Sequence, residues 1–288
     1  MIASQLYFSI VFGLLAMFAY GIMDYMGSIL TKKENPVRTL FWYSLLSTLL
    51  LSVGILFFKI PHMAWVYVPV FIWLSIQAAY QFLIFYKSLK LGKVAVVVPI
   101  ANTYSIVIVL TGLLFLHEVI TPLLWVGISL TILGTILVSF KLRDIVRLRI
   151  NRAVPGVKYA LLTMFLFGTF SAAVGVLSKL LGWFWPIFII SIGCTVTLFV
   201  HASIKKIRTS FPVFLTGMLP LYAVVGTSAF IFYSVGANHG QLSLVGPLAA
   251  AAPLVTVMLA RIFVKERMAI NQAVGVAFIL IGLVIMAS

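Results

Sequence analysis

The chain has 288 residues, 63% of them hydrophobic and 9% charged, with a mean hydropathy of +1.21 and a formal net charge of +15. Soluble domains sit near half apolar and a quarter charged, so this composition excludes a soluble enzyme and describes an integral membrane protein. In such a chain an excess of Lys and Arg speaks to topology before it speaks to nucleic acid, and no nucleic-acid partner is expected.

Crossing about 30 Å of hydrocarbon takes roughly 20 helical residues. The sequence divides into ten apolar runs: 6–30, 39–58, 65–86, 94–116, 121–140, 156–178, 184–203, 213–236, 242–263 and 270–287. The expected class is an all-α integral membrane protein. The first run has no basic segment before it and no small-residue cleavage site close after it, so it reads as a retained helix rather than a signal peptide. Within it Tyr20, Asp24 and Ser28 share a helical face, and Asp24 has no charge closer than Lys32. An acid inside a membrane helix is a functional candidate by default, and its ability to trade charge for a proton suits exchange of a proton for a substrate. The third run carries Trp73, Gln77, Tyr80 and Gln81, a polar and aromatic stripe at helical spacing that is expected to wall a cavity. The fourth holds Pro99 with Asn102 one turn later. The segment 141–155 is too short for a soluble domain, so the work of the chain is expected in or beside the bilayer. In the sixth run Ser171 takes the place that Asp24 has in the first. Cys194 in the seventh is alone, with no CxxC partner. The eighth presents Tyr222, Gly226 and Tyr233 on one face with Thr227 and Ser228 beside them, and the ninth contains Pro247 and Pro253.

Basic residues fall on one side. The odd-numbered loops hold 18 of the 20 Lys and Arg, and the other side has only Lys59 and Lys179. Short basic loops stay in the cytoplasm, which puts both termini outside and favours the plasma (cell inner) membrane.

The phrase GKVAVVVPI at 92–100 returns as GQLSLVGPL at 240–248. Gly92, Pro99, Glu118, Gly127 and Gly134 correspond to Gly240, Pro247, Glu266, Gly275 and Gly282, each pair 148 residues apart, and LLAMFAYG at 14–21 matches LLTMFLFG at 161–168 at an offset of 147. Five residues at one offset indicate a duplicated unit. Each unit spans five helices, and an odd number sends the second copy into the bilayer from the opposite face, so the repeats are inverted. The expected units are 5–140 and 153–288. Such repeats place a binding site at their interface near the midplane. Pro99 and Pro247 each delete a backbone N–H and crowd the carbonyl four residues back, and freed carbonyls at membrane depth are tolerated where protein or cavity water satisfies them. Pro99, Pro247 and Pro253 are therefore candidate hinges in broken, cavity-lining helices.

The frame G-x6-P-x18-E-x8-G-x6-G in both halves, with FAYG and FLFG in the first helix of each, resembles the drug/metabolite transporter superfamily, specifically its EamA-type members. That resemblance implies a ten-helix, five-plus-five inverted fold and secondary transport of a small metabolite by alternating access, with protons or solute exchange as coupling. The chain departs from the pattern where Tyr104 and Ser105 stand against the second proline, Pro253, and where Tyr20 stands for a common tryptophan.

The candidate substrate-binding set is thus Tyr20, Asp24, Trp73, Gln77, Tyr80, Gln81, Asn102, Ser171, Tyr222, Ser228 and Tyr233, with Asp24 as proton-coupling candidate. Plainer roles stand beside these: an interfacial Asp bonded to tyrosines, Gln as interhelical glue and packing kinks for the prolines. Glu118 and Glu266 close equivalent runs and suit capping the start of the next helix, while Glu34 and Asp144 suit solvated pairing with nearby Lys and Arg. The isolated histidines and the lack of GxxxxGK[ST] lead to an expectation of no metal, no ATP and no cofactor. Alternatives to transport are a lipid flippase, a non-transporting receptor or a membrane enzyme, the last needing acids, His or Ser clustered at one depth.

Overall fold

The structure, a computed structural model, describes residues 2–61, 63–92, 94–142, 154–212, 217–263, 265 and 268–287. In chain order the helices are α1 (Ile2–Lys33), α2 (Pro36–Ser52), α3 (Tyr67–Leu91), α4 (Val94–Asn102), α5 (Ser105–Phe115), α6 (Pro122–Val138), α7 (Val154–Leu181), α8 (Phe184–Ile204), α9 (Met218–His239), α10 (Leu242–Ala250), α11 (Pro253–Phe263) and α12 (Ile270–Ala287). Local chemistry sets several ends. Asn35 accepts from the Val37 amide and Thr121 from that of Leu124, each ahead of a proline at the first helical position, where a missing N–H costs nothing. Gly92 and Gly240, partners in the repeat, are the residues at which α3 and α9 stop.

α4 with α5, and α10 with α11, each form one crossing, and α2 continues to Leu56, so the described residues make ten crossings, of which α6, at 17 residues, is the shortest. The fold is all-α, ten membrane helices in two inverted five-helix repeats. Its main packing joins one repeat to the other: α1 lies on α9 and α10, α7 on α3 and α4, α2 on α8, and α6 on α12. Each of these pairings has a counterpart of the same kind with the repeats exchanged, as a pseudo-two-fold axis in the membrane plane requires.

Both proline-bearing crossings break, one turn beyond the proline. In the first repeat Thr103 and Tyr104 donate to Ile100 and Ala101, and Ile106 and Val107 to Thr103 and Tyr104. In the second, Ala252 donates to Ala249, and Leu254 and Val255 to Ala251 and Ala252. At these two points the ladder tightens to i→i+3 bonds, so the helix changes course while most of its amides stay bonded. The breaks sit at equivalent positions although Ser105 replaces Pro253, so the second proline sharpens a break that the duplicated unit makes without it.

The matched FAYG and FLFG glycines explain themselves at these breaks. A Cβ on Gly21 would stand 2.7 Å from the Ala252 oxygen, and one on Gly168 would stand 2.9 Å from the Tyr104 oxygen. Each long first helix can touch the broken crossing of the opposite repeat only because that side chain is missing. The bare strips behave likewise: a Cβ on Gly134 would meet the Gly275 oxygen at 2.6 Å, and one on Gly275 would meet the Gly134 oxygen at 2.7 Å. Backbone cannot retreat as a flexible side chain can. Gly134→Ala is expected to cost about 2 kcal/mol, lowering the detergent melting temperature by about 5 °C; an unchanged melt would refute this close approach of α6 and α12.

Candidate functional site

Between the repeats lies a cavity of about 620 Å³, within the range that holds drug-sized ligands. Five elements build its polar wall. α1 contributes Tyr20, Asp24 and Ser28; α3 contributes Gln81 and Tyr86; the first break contributes Asn102 and Tyr104; α7 contributes Ser171; and α9 contributes Tyr222 and Tyr233. Pro253 and Thr256 of α11 complete it at the second break. The apolar wall is aromatic, with Phe82, Phe85, Phe167, Phe170 and Phe230. These rings brace one another: Phe167 lies 5.2 Å from Phe82 and 6.0 Å from Tyr104, and Tyr20 stands edge-on to Phe230 at 5.4 Å. Such contacts hold the wall in shape.

Asp24 and Ser28 are exposed to this space, although both lie within the crossing Gln5–Leu30. Six residues before the end of that crossing place Asp24 about 9 Å from it along the helix. The ion pairs among the described residues are Arg38 with Glu34 and Lys179 with Glu118, and Asp24 enters neither. Its neighbours are phenols: the Tyr20, Tyr86, Tyr104 and Tyr222 hydroxyls share its electrostatic surroundings. Several other polar groups are already engaged. Tyr233 donates to the Ser171 carbonyl at 2.9 Å, Asn102 to Ser139 Oγ at 2.9 Å, and Thr256 to the Gly21 carbonyl at 3.0 Å. Gln81 is different, being buried with an Oε1 that has no hydrogen-bond partner.

The cavity is one-sided. It reaches Ser28, Leu89 and Ser139, at the ends of α1, α3 and α6 from which basic loops leave. Toward the other face it is stopped by a core that includes Ile108, Val174, Leu177, Leu242 and Val245. Glu118 fastens this end. Its carboxylate accepts from the Leu242 amide at 2.7 Å, the Ser243 amide at 2.8 Å and Lys179 Nζ at 2.9 Å. Burial pushes the Glu118 carboxyl up, but hydrogen bonds from Ser243, Lys179 and Leu242 outweigh it and leave the group below its ordinary value. The sequence expectation that Glu118 caps the next helix is corrected here. Thr121 caps α6, and Glu118 caps α10 of the opposite repeat, because inversion lays the end of the fourth crossing beside the start of the ninth. Glu266 and Asp144 lie outside the described residues, while Glu34 pairs with Arg38 at 3.0 Å as expected.

Of the residues singled out from the sequence, Tyr20, Asp24, Gln81, Asn102, Ser171, Tyr222, Tyr233 and Pro253 line the cavity. Pro99 and Pro247 are buried one turn before the breaks. Trp73, Gln77, Tyr80 and Ser228 do not line it. Trp73 is 63% exposed on the outer surface, Tyr80 reaches His201 Nδ1 at 3.1 Å, and Ser228 bonds back to the Val224 carbonyl. Gln77 donates to the Leu166 carbonyl at 2.8 Å and to Thr169 Oγ1 at 2.9 Å, which is interhelical glue. At 100° per residue the face of α3 bearing Trp73, Gln77 and Tyr80 is about two-fifths of a turn from the face that meets the cavity, and Gln81 sits between the two. The spacing 81–85–89 with 82–86 in the sequence carried the correct face, but its apolar members read as ordinary membrane helix. Gln77→Leu is expected to lower stability by about 1 kcal/mol and to leave ligand binding unchanged; a loss of binding at preserved stability would return Gln77 to the site.

The EamA-like transporter family matches residues 7–140 and 154–288. The Methanocaldococcus jannaschii protein MJ1333.1 is 28% identical over 97 residues, 33% of this chain and 69% of the relative. A solved crystal structure at 17% identity covers 96% of this chain and 94% of its own with a TM-score of 0.76, which shows a shared fold. Two family matches, one per repeat and together spanning nearly the whole chain, place it in the EamA-like transporter family of the drug/metabolite transporter superfamily, as a membrane transporter.

Proposed function

We propose that the chain is a secondary active transporter that moves a small organic solute by alternating access, with a proton as coupling ion at Asp24. The observation carrying this reading is the one-sided cavity, walled by both repeats, open along the basic face and fastened at the other by Glu118 on α10. Inverted repeats supply the second state, since exchanging the conformations of the two units, 5–140 and 153–288, turns the mouth to the opposite face. The breaks at 103–104 and 251–252 are the points where a crossing can change angle, with Pro99, Pro247 and Pro253 holding the amide ladder interrupted nearby. With the basic loops cytoplasmic, the mouth faces inward and both termini lie outside, in the cell inner membrane. The test is solute flux in proteoliposomes under an imposed pH gradient. Saturable uptake driven by that gradient supports the reading; movement of labelled lipid between leaflets without solute flux would replace it with a flippase.

A further inference from the structure

We propose that the cavity selects a monovalent organic ammonium ion with an apolar body, its charge set against Asp24 and an N–H aimed at Gln81 Oε1. The inference rests on the transporter reading above and names its substrate class. Four observations on the wall decide it. First, the carboxyl group of Asp24 is exposed to the cavity without an ion-pair partner among the described residues, and no Lys, Arg or His lines the same space. An anion would enter a weakly polar chamber with no countercharge, whereas a cation finds one.

Second, the cavity wall presents no free half-helix amide of the kind that commonly holds an anionic group in such folds. Half-helix N-termini bind carboxylates through free amides. Here Ile106 and Val107 of α5 donate to Thr103 and Tyr104, Leu254 and Val255 of α11 donate to Ala251 and Ala252, Pro253 has no amide, and Ser105, the first residue of α5, is outside the cavity wall. A zwitterion such as an amino acid would leave its carboxylate unpaired. The basic loops beyond the mouth do not change this, since they lie outside the enclosed space and are screened by salt.

Third, the Gln81 side chain is 2% exposed, lines the cavity, and carries an acceptor oxygen with no partner. Leaving a buried acceptor unmade is costly, and an ammonium N–H is the donor the site lacks. Fourth, the remaining wall is aromatic. Phe82, Phe85, Phe167, Phe170 and Phe230 offer faces to an apolar body and, together with the tyrosines, to a delocalised positive charge. A metal ion is not matched: Ca²⁺ and Mg²⁺ want several oxygen ligands, and the described residues hold no cluster of three acids, His or Cys.

Proton coupling and cation binding then become one event, since a proton and an ammonium ion compete for a single carboxylate. The titratable groups facing it are Tyr20 on its own helix, Tyr86 from α3, Tyr104 from the first break, and Tyr222 and Tyr233 from α9.

The experiment uses one scaffold in cationic, neutral, anionic and zwitterionic form: 2-phenylethylammonium, 2-phenylethanol, 3-phenylpropionate and phenylalanine, titrated calorimetrically into the purified protein. The cation is expected to bind about 10- to 100-fold more tightly than the neutral alcohol, with negligible binding of the anion and the zwitterion. Asp24→Asn should bring the cation down to the affinity of the alcohol, and Gln81→Met should weaken the cation while sparing the alcohol. Melting temperature and gel filtration report whether each variant is folded. Equal behaviour of all four compounds, whether binding or none, overturns the proposal, as does tighter binding of the anion or zwitterion. Flux in proteoliposomes separates the two readings. Saturable, pH-driven flux of another solute without cation selectivity removes the ammonium class and keeps the transporter. Selective cation binding with no flux keeps the site and removes the transport reading.

Discussion

Asp24→Asn is expected to abolish pH-gradient-driven accumulation in proteoliposomes and to leave the protein folded. For one coupled proton a gradient of one pH unit is worth about 1.4 kcal/mol and supports at most about ten-fold accumulation, so wild type is expected to approach that ratio and the variant to stay near unity. The asparagine matches the shape of the aspartate but can neither bind nor release a proton. Folding is expected to survive because Asp24 enters neither of the ion pairs found among the described residues and faces the cavity rather than a packed neighbour. Its removal therefore orphans nothing. The melting temperature should remain within about 2 °C of wild type or rise slightly, since a charge in a weakly polar setting carries a cost when unpaired. Accumulation preserved in the variant would remove the proton-coupling role. A collapse of the melt would assign Asp24 to structure.

Glu118→Ala is expected to be the most destabilising of the changes considered. Its side chain is 6% exposed, and three donors converge on it. Truncation orphans the Leu242 and Ser243 amides at the start of α10 and strips Lys179 of its partner, at about 3 kcal/mol in total. Lys179→Ala should cost less, about 1 kcal/mol, because the Lys179 side chain is 25% exposed and the two amides keep their acceptor. The acid limb of stability follows from the same geometry. The folded-state value of Glu118 is held below its ordinary one, so the stability it contributes is complete above the unfolded carboxyl value of about 4.3. It is lost as pH falls through the lower, folded value. Wild type should therefore melt progressively earlier below about pH 4.3, and Glu118→Gln should flatten that slope. Equal melting of Glu118→Ala and wild type, or an acid slope unchanged in Glu118→Gln, would contradict the cap.

Composition, the ten apolar runs, the offsets of 148 and 147, and the sided distribution of Lys and Arg sufficed for the membrane class, the ten crossings and the inverted duplication. These are properties of the chain taken locally or against itself, and periodicity and charge carry them directly. Asp24 was legible for the same reason, as an acid in an apolar run. Tertiary packing decided which face of α3 meets the cavity, because a helical stripe fixes a direction around its own axis and nothing about what lies opposite. Trp73 and Tyr80 thus proved to be outer-surface aromatics and Gln77 a bond to α7, while Phe82, Phe85 and Tyr86 became wall. The partner of Glu118 was decided in the same way. Neighbours in sequence suggested α6, but inversion brings α10 to it from 124 residues away, and such contacts depend on the repeat interface rather than on any spacing within either repeat.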